Sequence, residues 1–98
     1  MDLTALQRKL IDALDASRVE IIDHTPEHAG HPASAGRAHL GVTIVSSRFE
    51  GVGALDRHRL THRALADEMA HAIHALSLTT YSPTEWDAAG AGGSGVSS

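Results

Sequence analysis

Eight histidines and no cysteine occur in the 98 residues of this chain. The absence of cysteine excludes every thiol mechanism and every metal site built from the chain's own thiolates. Imidazole is a common ligand of zinc, copper and iron, so the histidines are the first residues to consider for metal chemistry. They fall into two groups, His24, His28, His31 and His39, then His58, His62, His71 and His74. A metal whose other ligands come from a thiol-bearing partner is therefore the hypothesis to test.

Spacing alone gives few of these histidines a ligand role. His58 and His62 lie four residues apart on a predicted helix, which can bring two imidazoles to one metal ion. Hydrogen bonding with the fold or with a partner is the better interpretation of His58. His24, His39 and His71 are interpreted as ordinary polar residues of the surface or of strand ends.

Composition predicts a single small domain of an ordinary globular type. The chain has a mass of 10.3 kDa, with 42% hydrophobic and 20% charged residues. We expect a cytoplasmic protein without a membrane segment, because no apolar run is long enough to span a bilayer and the N-terminus resembles no signal or transit peptide. A net charge of −4 disfavours nonspecific attraction to nucleic acid. Catalysis is disfavoured too, since no Ser, His and acid arrangement has a recognisable context.

The first half of the chain is predicted to contain one helix and two strands. The leucines between residues 3 and 14 follow a helical period, and Asp2 is placed to cap that helix. Residues 19–22 are a short β-branched run that places Val19 and Ile21 on one face, and apolar residues alternate in the same way within residues 39–46, as in strands. About a dozen or more residues separate these strands, whereas hairpin loops usually need about 2 to 5. Excess length of that kind indicates either a function or disorder.

The second half is predicted to contain a long helix, a strand and a short helix. An apolar stripe predicts the main helix from residue 60 to about residue 74, followed by a strand at 75–81 that pairs parallel with its predecessor. Residues 82–85 form a predicted capping box, with proline at the first helical position. The whole predicts an α+β fold in which a three-stranded mixed sheet packs against helices. We expect a domain at residues 1–87 and a disordered Gly/Ala/Ser-rich tail at 88–98.

Six motifs in this order resemble the BolA family. They are His28-Ala-Gly-His31, a strand from His39 that ends in Val-Ser-Ser, Arg48-Phe-Glu-Gly51, Arg57-His-Arg59, Ile73-His-Ala-Leu76 and Ser82-Pro-Thr-Glu-Trp86. The resemblance covers essentially the whole chain except the tail. It implies a class II K-homology-like fold, α-β-β-α-β with a short C-terminal helix, in agreement with the element order above. The chain departs from many family members at Leu40, where an aromatic residue is common, and at Gly41.

The resemblance also implies a function and a cofactor. It implies binding to a monothiol glutaredoxin and a 2Fe-2S cluster shared with that partner. The glutaredoxin would supply one cysteine thiolate and one glutathione thiolate, leaving two of the four terminal positions to imidazoles of this chain. Histidine ligation would raise the reduction potential, as in Rieske centres. We expect a non-enzymatic adaptor that is a monomer or weak homodimer and holds no cofactor when isolated.

His74 is the first candidate ligand, because it matches the ligand histidine of the family motif Ile-His-Ala-Leu. By spacing alone, a histidine interacting with the dipole at a helix C-terminus is the better interpretation. The second ligand is expected in the long loop. Counting forward from Asp23 favours His28, whereas counting back from His39 favours His31, and the two alternatives stay open.

The alternative function is DNA binding by a transcriptional regulator of stress response and cell morphology. Some BolA proteins regulate transcription, and K-homology-like folds occur in nucleic-acid-binding modules. The candidate nucleic-acid or partner contacts are Arg57, His58, Arg59 and Arg63. Against this function, Gly51-Val-Gly53 stands where true K-homology modules carry a Gly-x-x-Gly loop, and aromatic residues for base stacking are scarce.

Overall fold

Seven helices and strands follow one another in the computed structural model, which describes residues 2–24 and 38–90. They are α1 (Leu3–Leu14), β1 (Ala16–Asp23), β2 (Ala38–Ser46), α2 (Ala54–Ala64), α3 (Ala66–His71), β3 (Ile73–Tyr81) and α4 (Pro83–Ala88). A single 3-10 turn, Ser47–Phe49, follows β2 directly. This order confirms the predicted α+β fold. Within these ranges, no helix has the length and apolar character needed to cross a membrane, and residues 91–98 of the predicted tail lie outside them.

Helix α1 begins where the sequence predicts. The Asp2 carboxylate accepts hydrogen bonds from the backbone N–H groups of Thr4 (3.0 Å) and Ala5 (3.2 Å), which have no partner within the helix. The leucines at helical spacing face the core and are almost fully buried. They are Leu6, Leu10 and Leu14.

The sheet has the strand order β1-β2-β3, with β1 antiparallel and β3 parallel to the central strand. The predicted parallel pairing is therefore confirmed. Alternate residues of β2 face the core, together with Val19 of β1 and Ile73 of β3. These core residues of β2 are Leu40, Val42 and Ile44. The intervening residues of β2, which include His39 and Gly41, project from the opposite face.

The bounds of the predicted main helix are wrong. The helix breaks at Leu65, whose backbone has φ −107° and ψ 21°, and β3 begins at Ile73. Leu65 and Ile73 are both buried, with exposures of 0% and 1%. The predicted apolar stripe, whose members are Leu60, Ala64, Met69, Ala72 and Ile73, is half-buried except for Ile73, and this last residue belongs to a strand. His74 consequently lies inside β3 and not at a helix end.

Helix α4 is fixed at the end of the sheet by the predicted capping box. The Ser82 hydroxyl accepts from the N–H of Glu85 (3.1 Å), and the Glu85 carboxylate accepts from the N–H of Ser82 (2.8 Å). Trp86 packs edge-on against Tyr81, with ring centroids 5.1 Å apart. The guanidinium of Arg18 lies 5.2 Å from the Trp86 ring centroid. Trp86 therefore joins α4 to β1 and β3.

Candidate metal-binding site

His74 is held by an irregularity at the start of β3. Ala38 of β2 is the partner of Ile73, and the next residue, His39, is the partner of Ala75. His74 therefore has no partner residue in the register between β2 and β3. An extra residue of this kind bends the strand and redirects a side chain, and such bulges are common beside functional sites. The preceding Ile73 is buried, whereas the His74 side chain is exposed. The sheet thus presents this imidazole to solvent from a braced backbone.

His39 lies beside His74. The two ring centroids are 5.0 Å apart, and the rings are tilted by 32°. The sequence interpretation of His39 as an ordinary strand-end residue missed this contact. The available signal was that each of two strands predicted to be parallel begins near a histidine, which brings both side chains to the same end of the sheet.

His24 is the third histidine at this end of the sheet. Its backbone N–H donates to the carbonyl of His39 (2.7 Å), and its ring lies over Gly41. A Cβ atom on residue 41 would come within 2.8 Å of the His24 Nε2 atom, closer than real contacts allow. Gly41, one of the two departures from the family pattern, therefore leaves room for the His24 ring. A shallow groove of about 220 Å³ adjoins it, lined by His24, His39, Leu40, Ala75, Leu76 and Ser77.

The two loop candidates, His28 and His31, lie outside the described residues. The first described range ends at His24, and the second begins at Ala38. The backbone N–H of Ala38 donates to the carbonyl of Ala72 (2.9 Å). Both attachment points are at the same end of the sheet as the pair of histidines. The choice between His28 and His31 stays a prediction.

The donors present suit a metal centre that a second molecule completes. Across residues 2–24 and 38–90, no three His, Cys, Asp or Glu side chains converge as a complete metal site. A 2Fe-2S cluster has four terminal ligand positions, and a chain without cysteine fills none of them with thiolate. His74, with a neighbouring imidazole, can supply nitrogen donors from one side. The imidazoles of the described residues would therefore fit a cluster whose thiolate ligands come from a second molecule.

Arg57 has a structural role that differs from its predicted nucleic-acid or partner contact. The side chain is buried, at 8% exposure, and all five of its N–H groups donate within the chain. Its acceptors are the carbonyl of Val52 (2.7 Å), the carbonyl of Phe49 (2.9 Å), the carbonyl of Thr80 (3.5 Å) and both carboxylate oxygens of Glu85 (2.6 and 3.0 Å). Arg57 thereby ties α2, the 3-10 turn, β3 and α4 together.

The electrostatics of this ion pair keep it charged over a wide pH range. The hydrogen bond from Arg57, followed by that from the backbone of Ser82, lowers the pKa of Glu85 from 4.5 to about 2. The same hydrogen bond raises the pKa of Arg57. A buried guanidinium with this partner is a fixed structural charge, so it does not offer a free contact to phosphate.

The other three candidate contacts, His58, Arg59 and Arg63, are exposed on α2. The rings of His58 and His62 stack with centroids 6.5 Å apart. Arg59 makes an exposed ion pair with Asp56 at 3.5 Å. This surface is available to a partner, in contrast to Arg57.

Comparison with known proteins identifies the family. The model of the family described as BolA-like protein matches residues 10–85. The chain belongs to the BolA-like family. This member is 43% identical over 82 residues to BolA-like protein 1 of Pongo abelii, an alignment that covers 84% of the chain and 58% of the relative. The chain thus spans little more than half the length of that curated relative.

Two further relatives bear on the fold and on the alternative function. The crystal structure of a Bol-like protein from Babesia bovis has 30% identity and a TM-score of 0.75, covering 91% of this BolA-like chain and 93% of the other. The DNA-binding transcriptional regulator BolA of Vibrio cholerae is 37% identical over 81 residues, which is 83% of the chain and 74% of the relative. The predicted family and fold are confirmed. His39 and His74 both lie within the residues matched by the family model.

Proposed function

We propose that this BolA-like chain is a non-enzymatic adaptor that binds a monothiol glutaredoxin and shares a 2Fe-2S cluster with it. Its role would be iron-sulfur cluster trafficking or iron and redox sensing, with the cluster as cargo. The observation that carries the proposal is the exposed His74, held by the strand irregularity in a chain without cysteine. Membership of the BolA-like family supports it.

The ligands divide between the two molecules according to their chemistry. The glutaredoxin would supply one cysteine thiolate and one glutathione thiolate, because this chain has no thiol. His74 and one of His28 or His31 would supply two imidazoles. Nitrogen donors on one iron raise the reduction potential of such a cluster. His39 would restrict the rotation of His74 through the ring contact at 5.0 Å, so that less entropy is lost when His74 binds.

Visible circular dichroism of the mixed proteins tests the proposal. Addition of the purified chain to a cluster-loaded monothiol glutaredoxin should change the spectrum and yield a complex. His74→Ala should abolish the change, and one of His28→Ala or His31→Ala should do the same. The matched control is His71→Ala, which removes an exposed histidine three residues before His74 and should behave as wild type. An unchanged wild-type spectrum without complex formation, or a wild-type result for His74→Ala, would contradict the proposal.

DNA binding by a transcriptional regulator of stress response and cell morphology is the second candidate function. The Vibrio cholerae relative, whose name states DNA binding, supports it, as do the exposed basic residues Arg59 and Arg63. The double variant Arg59→Ala/Arg63→Ala should bind a promoter duplex with lower affinity. The magnitude of the slope of log K against log salt should also fall by about 2, because two phosphate contacts are lost. Arg8→Ala, an exposed change on α1, is the control. Equal affinity and slope in all three proteins would count against this function.

A further inference from the structure

The histidine pair at the end of the sheet has the ring separation expected of two ligands of one metal ion. We propose that His39 and His74 bind a single divalent transition-metal ion of the zinc type in the absence of a partner protein. The ring centroids are 5.0 Å apart and the ring planes differ by 32°. Zinc, copper and nickel all favour imidazole nitrogen.

The distance between the rings is the main argument. Zinc–nitrogen bonds are about 2.0–2.1 Å long, so two imidazoles at a tetrahedral angle place their ring centroids about 5 Å apart. His39 and His74 already have this separation. The other histidine pair in the described part, His58 and His62, has centroids 6.5 Å apart and must change side-chain rotamers to reach it. Side-chain ordering on binding therefore costs less for the pair on the sheet.

The backbones that carry the two rings are also braced. His39 is the partner of Ala75 in β3, and on the side of β1 its carbonyl accepts a hydrogen bond from the backbone N–H of His24 (2.7 Å). His74 lies between two residues whose register with β2 is fixed. Preorganised ligands of this kind favour metal binding. The described residues offer no complete three-ligand group, so these two imidazoles are the donors on which the proposed site rests.

Such an ion would influence the function proposed above, and this part of the inference depends on that function. An imidazole nitrogen of His74 that is bound to zinc is not available to iron. The ion must therefore leave His74 before a cluster is shared with a glutaredoxin. Free zinc would compete with formation of the cluster-containing complex.

Isothermal titration of the full chain with zinc chloride tests the site. The double variant His58→Ala/His62→Ala serves as the background, because it removes the competing helical pair. We expect one zinc ion per chain in this background. His39→Ala and His74→Ala should each weaken binding by at least about tenfold. His71→Ala, an exposed change on α3, should leave the affinity unchanged.

A second variant separates loss of the donor from loss of folding. His39→Phe keeps an aromatic ring against His74 but offers no nitrogen, and far-ultraviolet circular dichroism verifies its fold. Wild-type zinc affinity in folded His39→Phe would overturn the proposal, as would binding that requires only His28 and His31. Because the titration contains no glutaredoxin and no cluster, failure of the zinc site leaves the proposed function standing. Failure of cluster sharing likewise leaves the zinc result unaffected.

Discussion

Replacement of Arg57 by alanine is expected to lower the free energy of unfolding by about 3 kcal/mol. The variant removes the guanidinium hydrogen bonds to the Val52 and Phe49 carbonyls and to the Glu85 carboxylate, and it removes a buried side chain between α2 and β3. Small domains are stable by only about 5–15 kcal/mol, so this loss is a large fraction of the total. Urea unfolding monitored by circular dichroism measures it.

The neighbouring arginine of the same motif is the matched control. Arg59 is 66% exposed, and its ion pair with Asp56 is exposed too, so Arg59→Ala should change stability by no more than about 0.5 kcal/mol. The pH provides a second check. Because the pKa of Glu85 falls from 4.5 to about 2 on folding, its pairing contributes fully above pH 4.5 and is lost as the pH falls toward 2. The difference in the free energy of unfolding between wild type and Arg57→Ala should therefore become smaller as the pH falls over this range. Equal losses in both arginine variants would contradict the structural role of Arg57.

Replacement of Phe49 by alanine is expected to cost about 3–5 kcal/mol. Its side chain is fully buried, in the 3-10 turn between the central strand and α2. The guanidinium of Arg57 lies 5.4 Å from the ring centroid, so the variant creates a cavity and also removes a cation–π contact. Leu55→Ala is the control, because Leu55 is 64% exposed and should tolerate the change within about 0.5 kcal/mol. Urea midpoints and slopes give both values.

The double variant Phe49→Ala/Arg57→Ala shows whether the two residues act as a unit. Each single change removes the contact between the ring and the guanidinium, so the double change should cost less than the sum of the two. Strict additivity would show that the residues stabilise the fold independently. If Phe49→Ala lowered the free energy of unfolding no more than Leu55→Ala does, the result would contradict the place of Phe49 in the core.

The parts of the fold that depend on near neighbours in the chain could be predicted from the sequence. Asp2 bonds to residues two and three positions later, and the capping box needs only Ser82 and Glu85. The strand order and the parallel pairing follow from the short element list and the helical connection. The resemblance to family motifs identifies His74 as a candidate ligand, whereas periodicity alone does not distinguish it from an ordinary histidine.

Features that depend on distant contacts were not predictable in this way. Ile73 fits the period of the preceding helix, and only pairing with β2 makes it a strand residue. The contact between His39 and His74 depends on the register of two strands and on the irregularity between them. The sequence predicts Arg57 as a nucleic-acid or partner contact, whereas two of its acceptors, Thr80 and Glu85, lie on elements far from it in sequence.

The attachment of residues 25–37 has an evolutionary consequence. The backbone hydrogen bonds from His24 to His39 and from Ala38 to Ala72 anchor the chain on either side of this segment, next to the histidine pair. The core is made by the leucines of α1 and the inward side chains of β2, and neither anchor residue belongs to it as a buried residue. Selection can therefore vary the sequence between the two anchors separately from the residues that make the core.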